Sequence, residues 1–193
     1  MDLILRNITK AYGEHVVLDR FSHTFPEGGV TVITGRSGRG KTTLLRLVAG
    51  LEPADAGEIL GVPEGGISMV FQEDRLPASL TAPACLRCVL PRTPERDATV
   101  EGALRALGLG DALDQPVREF SGGMRRRVSL ARALLYPSPL VLLDEPFKRL
   151  DEETRRAAVD FARPLLEGRT VLLVTHDGAD VDAFDARTLS LDA

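Results

Sequence analysis

Gly35-Arg36-Ser37-Gly38-Arg39-Gly40-Lys41-Thr42-Thr43 is the stretch on which the reading of this chain turns. It fits the phosphate-loop pattern G-x-x-x-x-G-K-[ST]. Its glycines let the backbone pass close to a phosphate chain and aim N–H groups inward. Lys41 supplies a point positive charge for β- and γ-phosphates, and the Thr42 hydroxyl suits Mg²⁺. Residues 29–34 read as a buried strand before the loop. Residues 42–49 read as a helix after it, so that a helix N-terminus faces the anion. This strand–loop–helix order predicts an α/β nucleotide-binding fold.

Working outward, residues 3–8, 16–18 and 21–25 read as short strands, and 67–71 as a strand ending at Gln72. Strand signals then vanish. Val100, Ala103, Leu104 and Leu107 recur at helical spacing behind Pro94. Val128, Ala131, Leu134 and Leu135 mark a second helix starting near Ser121. Residues 73–135 therefore read as a helical subdomain inserted into a core of residues 1–72 and 136–193, within a single domain. Residues 140–143 and 170–174 are continuous apolar runs of the kind buried in parallel sheets. Between them Ala158, Phe161, Ala162 and Leu165 repeat at helical spacing, and Pro164 is expected to kink or shorten that helix.

The chain has 193 residues, 44% of them hydrophobic and 27% charged, as in an ordinary globular protein that can bury a core. A net charge of −4 gives no global electrostatic case for nucleic acid. The basic run Arg125-Arg126-Arg127 is too narrow for one and reads as solvated or interfacial. No apolar run reaches the ~18 residues of a membrane span, and the first residues do not resemble a signal peptide, so a cytoplasmic location is expected. Cys85 and Cys88 form a lone C-x-x-C without further ligands at metal spacing and read as small residues on a helix.

Two further stretches carry chemistry. The apolar run ending in Asp144-Glu145 has the Walker B form. Asp144 suits the oxygen shell of Mg²⁺, and Glu145 can orient or deprotonate an attacking water. Ser121-Gly122-Gly123 opens a helix with a hydroxyl and exposed N–H groups, which is either a second anion site or an ordinary serine cap.

Taken in order, these motifs resemble the ATP-binding subunit of ABC (ATP-binding cassette) transporters, over essentially the whole chain from Tyr12 to His176. Residues 35–43 match Walker A, and Phe120-Ser121-Gly122-Gly123-Met124 matches the Leu-Ser-Gly-Gly-Gln signature with two changes. Asp144-Glu145 matches Walker B, Gln72 the Q-loop, Leu150-Asp151 the end of the D-loop and His176 the H-loop. The resemblance implies an α/β P-loop NTPase with a mainly parallel RecA-like core sheet, an N-terminal antiparallel β subdomain and the inserted helices. It implies a head-to-tail dimer, homo- or heteromeric, with each ATP between the P-loop of one subunit and Ser121, Gly122, Gly123 and Met124 of the other. Tyr12 would stack the adenine. Residues Gly35, Arg36, Ser37, Gly38, Arg39, Gly40, Lys41, Thr42 and Thr43 would hold the phosphates. Thr42, Gln72 and Asp144 would serve Mg²⁺. Glu145, His176, Gln72 and Lys41 would support hydrolysis, and Asp151 would line the dimer interface.

The implied partners are transmembrane permease subunits, with a solute-binding protein engaged indirectly and no nucleic acid. The implied place is the cytoplasmic face of the cell membrane. The run Phe71-Gln72-Glu73-Asp74-Arg75-Leu76-Pro77 is similar to the Q-loop region of nitrate, sulfonate or taurine importers, which favours import. An exporter ATPase, a soluble ABC ATPase and a P-loop kinase or inactive scaffold are the other readings. Met124 in place of glutamine, and Lys148-Arg149 before Leu150-Asp151, depart from the family pattern.

Overall fold

The alternation of apolar and polar residues near the N-terminus produces strands with one buried face. In the computed structural model, which describes residues 1–192, β1 (Leu3–Tyr12) lies between β2 (His15–Phe25) and β4 (Ala56–Leu60) in an antiparallel sheet. Leu3, Leu5 and Ile8 point inward and are buried. The two short strands expected over 16–25 are one strand. Its middle residue Arg20 takes a φ of 47°, and the polar pair Asp19-Arg20 disguises its continuity.

A five-stranded sheet has the order β5-β6-β7-β3-β8, where β3 is Val30–Thr34, β5 Ile67–Val70, β6 Leu140–Asp144, β7 Thr170–Val174 and β8 Arg187–Ser190. β6, β7, β3 and β8 pair in parallel. Every residue of β6 and β7 is buried, as central strands of a parallel sheet require. Helix α1 (Lys41–Val48) buries Leu44, Leu45, Leu47 and Val48 in one cluster with Leu140, Leu142, Leu172, Val174 and the inner residues of β1.

The chain divides into two compact units. The first holds Met1–Met69, Ser138–Glu145 and the segment from Gly168 onward; the second holds Val70–Pro137 and Pro146–Glu167. In the second, α2 (Ala82–Arg87), α3 (Arg96–Ala106) and α4 (Gly122–Leu135) pack together, and α5 (Glu152–Leu166) packs on α3 and α4. Val100, Ala103, Leu104 and Leu107 are all buried, as their spacing predicts. Cys85 sits buried on α2 and Cys88 exposed at its end, both as free thiols; burial pushes the Cys85 thiol up.

Pro164 does not stop its helix. α5 runs two residues past it, because Pro164 and the carbonyl-bearing Asp160 one turn earlier are both exposed, so water can satisfy the freed carbonyl. The strands β4 and β8 were not expected. β4 contains Gly57 and β8 lies at a sheet edge, and neither has a buried apolar run.

Candidate nucleotide site

The loop between β3 and α1 turns on left-handed glycines. Gly38 and Gly40 have φ values of 83° and 87°. Gly40 occupies the N-cap position of α1, and no side chain there accepts from the free helix N–H groups. The first turn of α1 carries no acidic residue. The positive end of the helix is therefore open to an anion. Lys41 is buried, and its Nζ donates to the carbonyl oxygens of Gly35 at 2.5 Å and Arg36 at 2.9 Å. The ammonium is thus folded into the loop it charges.

Gly40 has a second constraint, since a Cβ there would stand 2.6 Å from Val17 Cγ1. Gly40→Ala is therefore expected to lower stability by about 2–4 kcal/mol, combining left-handed strain with overpacking. Gly50→Ala is the control: its φ is 67° and its Cβ would meet nothing within 4 Å. That variant is expected to lose only about 1 kcal/mol. Urea unfolding of the two variants checks the difference; equal losses would count against the steric part.

Parallel pairing brings the C-terminal ends of β3, β6 and β7 to one edge. Asp144 ends β6 and is 1% exposed. Glu145 follows at a φ of 50°, its N–H donating to the carbonyl of Val174 on the neighbouring strand at 2.8 Å. A non-glycine residue in that region carries local strain, and here it turns the Glu145 side chain so that Oε1 lies 3.2 Å from His176 Nε2. The Glu145 side chain is 12% exposed and that of His176 55%. His176 is held by its own turn: Thr175 Oγ1 donates to buried Asp180 at 2.6 Å, and the Asp177 N–H donates to Thr175 Oγ1 at 3.1 Å.

The Thr42 hydroxyl and the Asp144 carboxylate are hard oxygen donors suited to Mg²⁺. Among the described residues no group of three or more His, Cys, Asp or Glu could hold a metal ion by itself. An ion that keeps most of its waters and leans on phosphate oxygens fits such a sparse donor set.

Tyr12 ends β1 with its ring about half exposed. Its hydroxyl is hydrogen-bonded to Glu52 Oε2, and Lys10 Nζ lies 5.5 Å from the ring centroid. Lys10 is itself fixed by the carbonyl of Pro53 at 2.8 Å and by Asp55 at 3.2 Å. The Tyr12 hydroxyl, followed by Arg46, holds the Glu52 carboxyl below its ordinary range. The ring is thereby oriented while it stays about half exposed.

In the second unit, Ser121 is the N-cap of α4, its Oγ accepting from the Met124 N–H at 3.2 Å. The ordinary capping role is thus realised. The first turn of α4 again has no acidic residue. Gly123 packs against the run 148–150: a Cβ on it would lie 3.4 Å from the Arg149 carbonyl oxygen. Asp151 caps α5 by accepting from the Thr154 N–H at 2.9 Å, and that bond holds its carboxyl below the ordinary range. Gln72 is exposed in an irregular segment.

The arginine run is not a solvated face. Arg126 is buried, and Arg127 donates to the Leu107 carbonyl at 2.6 Å and the Gly123 carbonyl at 3.3 Å. Arg125 donates to the Phe120 carbonyl at 2.5 Å. Loop carbonyls left over from irregular structure need donors, and a guanidinium serves several at once. Sequence reading also missed Asp192, whose two oxygens accept from the Arg36 N–H at 3.1 and 3.0 Å and which pairs with Arg39 at 3.3 Å. Nothing in its local sequence marks it, because the contact spans the β3–β8 pairing.

A glycine loop, an open helix end and a buried aspartate along one edge of a parallel sheet are the build of a P-loop nucleotide-binding protein. Residues 18–148 match the family model described as ABC transporter. The chain is 40% identical to the aliphatic sulfonates import ATP-binding protein SsuB 1 of Nocardia farcinica, over 97% of this chain and 77% of that protein. It is 39% identical to the SsuB protein of Escherichia coli strain K12, over 98% of this chain and 77% of the relative. Its fold is similar to the solved dimeric, post-hydrolysis state of the ATP-binding cassette MJ0796 bound to ADP and Pi, with a TM-score of 0.85 and 28% identity over 97% of this chain and 93% of that one. The chain belongs to the ABC transporter family, as one of its ATP-hydrolysing subunits. The resemblance to nitrate- and sulfonate-type importer ATPases and the expected α/β fold are both borne out.

Proposed function

We propose that this chain drives a bacterial importer for small sulfonates, binding ATP with Mg²⁺ at the β3–α1 loop and hydrolysing it with Glu145 and His176. The observation that carries the chemistry is the 3.2 Å contact between Glu145 Oε1 and His176 Nε2 at the strand edge that also bears the P-loop. In this reading Glu145 takes a proton from the attacking water while His176 orients it. Thr42 and Asp144 would hold Mg²⁺, with Gln72 serving it as well, and the ion would supply charge neutralisation for the transferring phosphoryl group. Lys41 and the N–H groups of the loop bind the phosphates. Tyr12 stacks the adenine, an interaction of ~1–3 kcal/mol where bases stack on aromatic rings.

Hydrolysis would take place in a head-to-tail pair of such subunits, with Ser121, Gly122, Gly123 and Met124 of one closing on the nucleotide of the other and Asp151 at the seam. The solved cassette at 28% identity is a dimer, which supports pairing of two subunits. No helix of the described residues is long and apolar enough to cross a membrane. The relatives are named import ATP-binding proteins, which supports permease subunits as partners, against whose cytoplasmic face this chain would dock.

The sulfonate substrate rests on relatives named for aliphatic sulfonate import at 39–43% identity. The test is to co-purify the permease with a tagged form of this chain and reconstitute the complex with its solute-binding protein. An aliphatic sulfonate is expected to raise Mg²⁺-dependent ATP hydrolysis severalfold. Stimulation by a different solute, with none by sulfonates, would reassign the substrate and leave the ATPase reading in place.

A further inference from the structure

We infer that Arg126 is a positioning residue that sets the conformation of the loop carrying Gln72. This rests on the ATPase reading above. Arg126 lies in the second turn of α4, the helix opened by Ser121-Gly122-Gly123, and is 4% exposed. Its Nη1 donates to the Phe71 carbonyl at 2.5 Å and to Asp74 Oδ1 at 3.2 Å. Its Nε donates to the Pro146 carbonyl at 3.1 Å. One side chain therefore grips the peptide immediately before Gln72, the residue two beyond it, and the residue that follows Glu145 in sequence.

Residues 71–77 form no helix or strand of their own. Their carbonyl groups must find donors elsewhere. A second arginine of the same helix helps: Arg132 Nη1 donates to the Arg75 carbonyl at 3.1 Å, and the Arg75 guanidinium lies 4.3 Å from the Phe71 ring centroid. α4 thus holds the Gln72 loop at Phe71, Asp74 and Arg75, while Gln72 itself stays exposed between the held points. The planar fork of a guanidinium can satisfy acceptors in three directions, whereas a lysine ammonium is a single point of charge. The ion pair with partly buried Asp74 at 3.2 Å adds a fixed orientation to these bonds.

Any displacement of the first turns of α4 is consequently felt at the Phe71 carbonyl. The helix opened by the signature residues is tied to the loop carrying Gln72, and Arg126 is the joint between them.

The test uses the full chain with Arg126→Gln, Arg126→Lys and Asp74→Asn, and reads two quantities. Amide hydrogen exchange in residues 71–76 is expected to speed up about tenfold or more in Arg126→Gln, with exchange in residues 35–43 unchanged. The kcat for ATP is expected to fall about tenfold while KM for ATP stays within about twofold, because the phosphate loop is untouched. Arg126→Lys should recover part of both effects. Should Arg126→Gln fail to fold, Asp74→Asn, which keeps both carbonyl bonds, is expected to show smaller changes of the same sign.

Unchanged exchange at 71–76 in folded variants overturns the inference, and so does an unchanged kcat. A KM that rises as kcat falls would also overturn it, by pointing to a general loss of structure. If the parental chain bound and hydrolysed no ATP, the functional reading would fail instead, and the exchange measurement would still decide whether Arg126 holds the loop.

Discussion

Glu145→Gln is expected to lower ATP hydrolysis by about a hundredfold or more while nucleotide binding persists. General-base assistance contributes ~10²–10⁴ in rate, and the amide cannot take up a proton at neutral pH. The substitution is otherwise conservative here. The Glu145 N–H keeps its bond to Val174, and an amide oxygen can still face His176 Nε2 across the 3.2 Å contact. With chemistry blocked and binding intact, ATP should hold two subunits together. Size-exclusion chromatography with ATP and Mg²⁺ is then expected to show a dimer that the parental chain does not accumulate. Turnover at the parental rate would remove Glu145 from the mechanism.

The second large effect falls on binding. Lys41→Ala is expected to weaken ATP affinity by about a hundredfold or more, since a charge-assisted hydrogen bond to phosphate in a partly buried site contributes ~2–4 kcal/mol. The same change strips two carbonyl oxygens, those of Gly35 and Arg36, of their donor. Some loss of loop order therefore accompanies the loss of charge. Calorimetric titration with ATP gives the affinity, and thermal unfolding without nucleotide gives the structural share. Parental affinity in the variant would contradict the assignment of residues 35–43 as the phosphate cradle.

Both variants concern residues that were visible in the sequence, and for a shared reason. Residues 35–43 and 140–145 are local patterns, in which strand, loop and helix follow one another and the functional side chain sits at the junction. The apolar runs before residue 35 and at 140–143 read as buried strands, and β3 and β6 are strands with buried interiors. The helix at Ser121 was equally legible from its cap and its apolar spacing. β4 and β8 lacked such a pattern. β4 holds Gly57, whose φ of 91° and close approach to the carbonyls of Arg6 and Asn7 exist only because β1 lies against it. β8 has no fully buried residue and is a strand only because β3 offers it an edge.

The arginines after the signature show the same limit from the polar side. Three consecutive charges on a helix normally face water. Here Arg126 and Arg127 turn inward and donate to carbonyl oxygens of the irregular segments around Phe71, Leu107 and Pro146. Asp192, more than 150 positions from Arg36, reaches the phosphate loop for the analogous reason that β8 ends beside β3.

What the sequence by itself determined is the set of local motifs: a loop of phosphate-loop pattern, a strand-end carboxylate pair and a capped Ser-Gly-Gly helix start, each specified by neighbours within a few residues. What only the tertiary structure decided is how those groups are held. Lys41 folds onto carbonyls of its own loop, whereas the Glu145–His176 contact and the Arg126 joint depend on which segments distant in sequence are brought side by side. That becomes determinate only when the sheet order and helix packing exist.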